Sequence, residues 1–217
     1  MYGWIDQEAS RQHREEIRNE VAANRLAKVA RANRVRAGAT PPGKKDQQAI
    51  LISSLDPGDE ARLLGMYSRL SLRSIYRRFH TPFPRVPEWL VVSFAKADQN
   101  HMVGVVAIAG EEIVGHAMYA RPEDGDEAEF AIVVEDRWQS KGVGKLLLSE
   151  LAREAMRQGV ETFTGIVLTE NRPAFGLIDA VFAGARRSLR DGSYDVCAPL
   201  QSLKSLTILK PLSSIRP

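Results

Sequence analysis

Beyond about residue 47, apolar and polar positions divide the chain into short segments whose period switches between two and about three and a half. AILISSL reads as a strand, and Asp56-Pro57, an N-cap followed by Pro at the first helical position, opens a helix through about Leu70. LRSIYRRF predicts a second short helix, which the proline-rich HTPFPRVP ends and turns into a loop. HMVGVVAIA and EIVGHAMYA flank Gly110-Glu111 as a hairpin, and EAEFAIVV follows the polar turn RPEDGDE as a third consecutive strand. From Gly142 to Gln158 the apolar residues return at helical spacing, at Leu146, Leu147, Leu151 and Ala155, with Gly159 as the C-cap. TFTGIVL is then a strand, Asn171 begins another helix, and SYDVCAPL is a last strand. This order predicts a mixed α/β sheet with helices on both faces.

Upstream, Asp6 to Arg36 contains helix formers and no Pro or Gly, so it predicts one long helix with a thin apolar face. AGATPPGKKDQQ breaks it and reads as a linker. The expected division is a helical arm and linker over 1–47, one folded domain over 48–200 and a tail over 201–217.

Charge sharpens that division. The chain of 217 residues has a net charge of +3, but residues 1–45 hold ten Lys/Arg against five Asp/Glu, leaving 20 against 22 in the remainder. A basic arm of this kind lies as a solvated helix or meets nucleic acid or an acidic partner; it lacks a DNA-binding pattern. The longest apolar run, MVGVVAIAG, is too short to span a membrane, and acids occupy the start where a signal peptide needs an apolar core, so a cytoplasmic protein is expected. Cys197 is the single cysteine, and His13, His80, His101 and His116 lack metal-ligand spacing, so no metal site is expected.

The chemistry concentrates in EDRWQSKGVGKLLLSEL. A helix N-terminus offers unpaired N–H groups and partial positive charge, and a glycine-bearing entry lets an anion approach closely. Gly142 and Gly144 supply that entry, Lys141 and Lys145 add positive charge, and Gln139 donates to a phosphate oxygen or braces the turn. The alternative is that the glycines only allow close strand-to-helix packing. Neither GxxxxGK[ST] nor GxGxxG is present, which disfavours two common nucleotide folds.

Gln139-Ser140-Lys141-Gly142-Val143-Gly144, after a strand and opening a long amphipathic helix, resembles the Q/R-x-x-G-x-G/A coenzyme A motif of the GNAT superfamily of N-acetyltransferases. The element order from about Ile50 to Leu200 is similar to that fold. AEFAIVVEDRWQSKGVGKLLL, ENRPA and LSLRSIYRRF look like the GNAT domains of bacterial protein-lysine acetyltransferases. The resemblance implies a mixed, mostly antiparallel sheet splayed between its fourth and fifth strands, with acetyl-CoA as cosubstrate. Gln139, Ser140, Lys141, Gly142, Val143, Gly144 and Lys145 would hold the pyrophosphate. The backbone of Ile132, Val133 and Val134 would pair with the pantetheine arm, and Asn171 would contact it, cap the next helix, or both. Glu129 stands at the position of the general-base glutamate, with Glu127 as its rival. A backbone N–H near Val134 would face the thioester oxygen. Many GNAT enzymes place a tyrosine seven residues after the asparagine; here that position is Ile178, and Tyr194 is the alternative. His80 has the best claim of the histidines to acceptor contact.

The expectation is therefore an acetyl-CoA-dependent N-acetyltransferase acting on a primary amine, with a protein lysine as the leading acceptor. A small amine such as a polyamine or antibiotic, and a non-catalytic acyl-CoA-binding module with a basic arm, are the alternatives.

Overall fold

A computed structural model describes residues 49–97, 101–122 and 125–204; the expected N-terminal helix, its linker and most of the tail lie outside these residues. The strands are β1 Ile50–Ser54, β2 Met102–Ala109, β3 Glu112–Ala120, β4 Glu127–Val134, β5 Thr162–Leu168, β6 Arg186–Arg190 and β7 Ser193–Pro199. The helices are α1 Glu60–Ser68, α2 Leu72–Phe79, α3 Glu88–Ala95, α4 Val143–Arg157 and α5 Arg172–Val181. The strands form one sheet in the order β1-β2-β3-β4-β5-β7-β6. Every neighbouring pair is antiparallel except β4 and β5. The expected mixed, mostly antiparallel sheet is the one found.

Two elements depart from the sequence reading. EWLVVSFA forms α3, a third helix ahead of β2, behind Pro87. It is apolar nearly all round, so it carries no helical stripe to read; Leu90, Val91, Phe94 and Ala95 are all buried. RRSLR forms β6, a fully exposed edge strand with no apolar alternation. Its signal is Asp191-Gly192, both at positive φ (47° and 78°), which joins β6 to β7 by a turn that matches strand twist.

Two apolar layers clamp the sheet. On one face α4 buries Val143, Leu147, Leu148, Leu151, Ala152 and Ala155, a stripe of period 3.6 laid against Ala107, Ala117, Ala128 and Phe130. Leu148 takes the place expected for Leu146, which stays half-exposed. The outer side of α4 carries the ion pairs Arg153–Glu150 (2.9 Å) and Arg157–Glu150 (3.3 Å). On the opposite face α1, α2 and α3 pack an aromatic cluster of Tyr67, Phe79 and Phe94 against His116 of β3. His116 is 1% exposed and accepts from or donates to the Tyr67 hydroxyl through Nδ1 at 3.0 Å. Burial, with a smaller contribution from the Arg78 charge, pushes its pKa down to about 3, so the folded protein keeps it neutral.

Candidate active site

β4 ends its partnership with β5 early. The parallel register runs only through Glu127, Ala128 and Glu129, opposite Thr162, Phe163 and Thr164, whereas β4 stays paired with β3 as far as Val134. The edge of β4 from Phe130 onward therefore opens into a fork. Glu135 N–H bonds Val114 C=O at 2.9 Å. Bonding direction alternates along an antiparallel ladder, so Val133 turns its N–H to β3 while Ile132 and Val134 turn theirs to the open edge.

The turn after β4 is held by side chains from far away in sequence. Glu135, 4% exposed, is paired by Arg69 Nε at 3.0 Å and Arg137 Nε at 2.6 Å. Arg137 also pairs with Glu112 at 2.6 Å, so its guanidinium is engaged in the scaffold. Asp136 accepts from Ser71 N (3.0 Å), Ser71 Oγ (2.7 Å) and Ser74 Oγ (3.0 Å). Desolvation alone would raise the Asp136 pKa, but these bonds outweigh it and hold the carboxyl below its ordinary range. Gln139 Nε2 donates to Ser74 Oγ (3.1 Å) and to Val134 C=O (2.9 Å). Of its two expected uses, the Gln139 side chain takes that of bracing the turn. Ser71, Ser74 and Asp136 were not singled out from sequence, because the contacts that give them meaning join residues more than 60 positions apart.

The two glycines of the motif do different work. Gly142 caps α4 at φ 85°, a left-handed conformation that side chains resist, and a Cβ there would meet nothing within 4 Å. Gly144 lies where a Cβ would come within 3.3 Å of Leu177 Cδ2 on α5 and 3.8 Å of Val134 Cγ2. One glycine shapes the turn and the other permits packing. Ser140 is also left-handed, at φ 59°. The first helical bond is Leu146 N–H to Gly142 C=O at 3.1 Å, so Val143, Gly144 and Lys145 stand in the first turn, whose N–H groups lack helical partners. Lys141 is exposed and lies over the Trp138 ring at 5.1 Å. The turn thus presents backbone N–H groups of the kind whose hydrogen bonds an anion can accept.

Asn171 precedes α5, and its side chain makes no capping bond. Ile178 is buried at 2% exposure in the core. Tyr194 packs edge-on against Phe175 and pairs with Val167 and Leu189, on the sheet face opposite Glu129.

Glu129 sits at the root of the fork, half-buried, on the face that bears Ala131 and Val133. Burial raises its pKa above the ordinary carboxyl range, and the positive charge of Arg78 opposes that rise. Glu127 shares the face but is exposed. Arg78 was missed from sequence. Its guanidinium stacks on Phe79 (4.8 Å) and Phe94 (5.6 Å), donates to Met118 Sδ at 3.5 Å, and leaves Nε buried without a hydrogen-bond partner among the described residues. His80 caps α2 in the left-handed region at φ 52°, and its pKa is lowered by burial and then by Arg78.

Residues 69–181, slightly more than half of the chain, match the sequence model of the acetyltransferase (GNAT) family. This chain belongs to the GNAT acetyltransferase family. The GNAT fold is also that of the GNAT domain of S. lividans PAT, with 29% identity, a TM-score of 0.63, and coverage of 68% of this chain and 89% of that domain. Acetyltransferase Pat of Mycolicibacterium smegmatis is 29% identical over 129 residues, 58% of this chain; the match spans 39% of that relative's length. A paia N-acetyltransferase from Thermoplasma acidophilum in complex with coenzyme A shares the fold at 14% identity and a TM-score of 0.57, covering 70% of this chain and 99% of that one. Among the described residues of this GNAT chain no helix is long and apolar enough to cross a membrane.

Proposed function

We propose that the protein transfers the acetyl group of acetyl-CoA directly to the side-chain amine of a protein lysine. The observation that carries this reading is the fork itself: an unpaired β4 edge with a backbone anion cradle at one end and a half-buried carboxylate at the other. The N–H groups at the start of α4, with Lys141 and Lys145 beside them, bind the pyrophosphate. The exposed edge at Ile132 and Val134 pairs with the pantetheine amides as a strand would. Asn171, whose side chain is not spent on capping, steadies the same arm.

A lysine ammonium has a pKa of about 10.4 and must lose its proton before it can attack. Glu129, directly or through water, takes that proton. The amine nitrogen then bonds to the thioester carbon, a backbone N–H of the open β4 edge stabilises charge on the carbonyl oxygen, and the C–S bond breaks. A thiol of pKa about 8.5 leaves as thiolate and receives, by way of water, the second proton that the amine nitrogen sheds as the amide forms, so the buried Ile178 in place of a tyrosine does not block the reaction. The protein acceptor, rather than a small amine, is favoured by the half-exposed sheet surface that continues from Glu129 across Thr164 and Cys197. We assign the fold unit that does this to residues 48–200.

The test is direct assay of acetyl-CoA turnover against lysine-bearing proteins, polyamines and aminoglycosides. Preferential acetylation of protein lysines is the expected result. Turnover confined to small amines would replace the acceptor class, and tight coenzyme A binding without acetylation of any amine would leave a binding module.

A further inference from the structure

The sheet face that bears Glu129 continues past β4 along a single register. Glu129 pairs with Thr164 of β5, Thr164 with Cys197 of β7, and Cys197 with Arg186 of β6. In-register residues of neighbouring strands point to one face, so these four side chains form a row. Thr164 and Cys197 are half-exposed while their strand neighbours Phe163, Val196 and Ala198 are buried on the other face. The row is therefore a surface, acidic at the end where the reaction would occur and basic at the sheet edge. Ser188 and Arg190 extend the basic end along β6, and both are exposed. Among the described residues Arg186 makes one long hydrogen bond, to Cys197 Sγ at 3.7 Å, and Arg190 meets Asp195 at 3.4 Å with three quarters of its side chain exposed. Arg187, on the other face, is held by Asp179 and the Phe175 carbonyl, but Arg186 and Arg190 fill no core and lie on this surface.

We infer that β6 selects the acceptor: an extended segment lies across β5, β7 and β6, with its lysine at Glu129 and an acidic residue of the same segment at Arg186 and Arg190. This rests on the acetyltransferase reading and narrows its substrate class. The spacing follows from strand geometry. Three strand-to-strand steps of roughly 4.8 Å separate Glu129 from Arg186, about 14 Å in all, which an extended peptide covers in about four residues. The favoured acceptor thus carries Asp or Glu three to five positions from the lysine. A charge reversal at that position would place like charges together at the sheet edge.

Steady-state acetylation of three peptides differing only at that position (Glu, Ala or Lys), by the full-length protein and by R186E/R190E, tests this. For the wild type, KM is expected to be about fivefold lower for the Glu peptide than for the Ala peptide, from two exposed ion pairs of modest strength, with kcat little changed and the difference fading at high salt. R186E/R190E should invert the order, favouring the Lys peptide, while its turnover of the Ala peptide and its thermal midpoint stay near wild type. The inversion is a readout that a damaged fold would not give. Equal KM values for all three peptides, or an R186E/R190E variant that weakens all three alike, would overturn the assignment to β6 while leaving the lysine acetyltransferase intact. Failure of the wild type to acetylate any of the peptides, with proteins also unmodified, would remove the protein-lysine reading and this inference with it.

Discussion

At one end of the fork, seven consecutive residues, Gln139 to Lys145, form the proposed anion cradle, and what they offer is backbone: left-handed turns at Ser140 and Gly142 and the N–H groups of a helix start. At the other end Glu129, Thr164, Cys197 and Arg186 come from four strands spread over the second half of the chain, and what they offer is side chains in register. The first arrangement offers N–H donors that suit a phosphate whatever else the ligand carries. The second depends on charge placement and can change by substitution without disturbing the sheet. One fold can thus keep its donor and exchange its acceptor.

That contrast predicts separable failures. The largest belongs to Glu129→Gln, which should lower kcat by at least about 100-fold, the usual contribution of a general base, with acetyl-CoA affinity by calorimetry unchanged. A wild-type rate in this variant would remove the residue from the mechanism.

His116 gives the next effect, on stability, and it tests the packed side of the sheet. The folded protein holds it neutral down to about pH 3, whereas the unfolded chain protonates it near 6.5. The unfolded state therefore binds the extra proton as pH falls. Stability is fully present above about pH 6.5 and should be lost at up to about 1.4 kcal/mol per pH unit below it. Denaturant melts of His116→Leu should show a flatter acid dependence from a lower starting stability, since the hydrogen bond between the Tyr67 hydroxyl and His116 Nδ1 is lost. An unchanged slope would show that other groups govern the acid response.

At the cradle, Gly142→Ala forces a side chain into the left-handed region at a cost of about 1–2 kcal/mol. Acetyl-CoA affinity should fall about tenfold as the turn relaxes, with the pH profile of the bound complex unaltered. Gly144→Ala should cost less, because its new Cβ meets the movable tip of Leu177. Equal losses in the two variants would contradict the separate roles drawn from their geometry.

The smallest effect is electrostatic. Arg78→Met removes the cation that opposes the burial-driven rise of the Glu129 pKa, so the acidic limb of kcat/KM should move to higher pH. A limb that stays in place would show that Arg78 serves only to pack against Phe79 and Phe94.

Legibility in the sequence follows the same line as these predictions. β4 and β5 were readable to the residue, because EAEFAIVV and TFTGIVL are dense in strand formers and bounded by polar turns. The α4 boundary was readable because its cap and its apolar stripe lie in one local stretch. α3 was not, since a helix apolar nearly all round has no polar face to betray its period, and β6 was not, since an exposed edge strand needs no apolar residues. Candidate positions at the cradle were visible as a motif. The bonds that set its geometry, Asp136 to Ser71 and Ser74 and Gln139 to Ser74, were hidden because no local pattern marks a contact across more than 60 residues.

By itself the sequence determined the order of strands and helices other than α3 and β6, the glycine entry to α4 and the chemistry available at Glu129, since each follows from neighbours within a few residues. Only the tertiary structure decided where β4 and β5 part, which amides the open edge presents, how far burial lifts Glu129 against the Arg78 charge, and that Arg186 of β6 lies in its row. Those depend on register and desolvation, which exist only once distant strands have met.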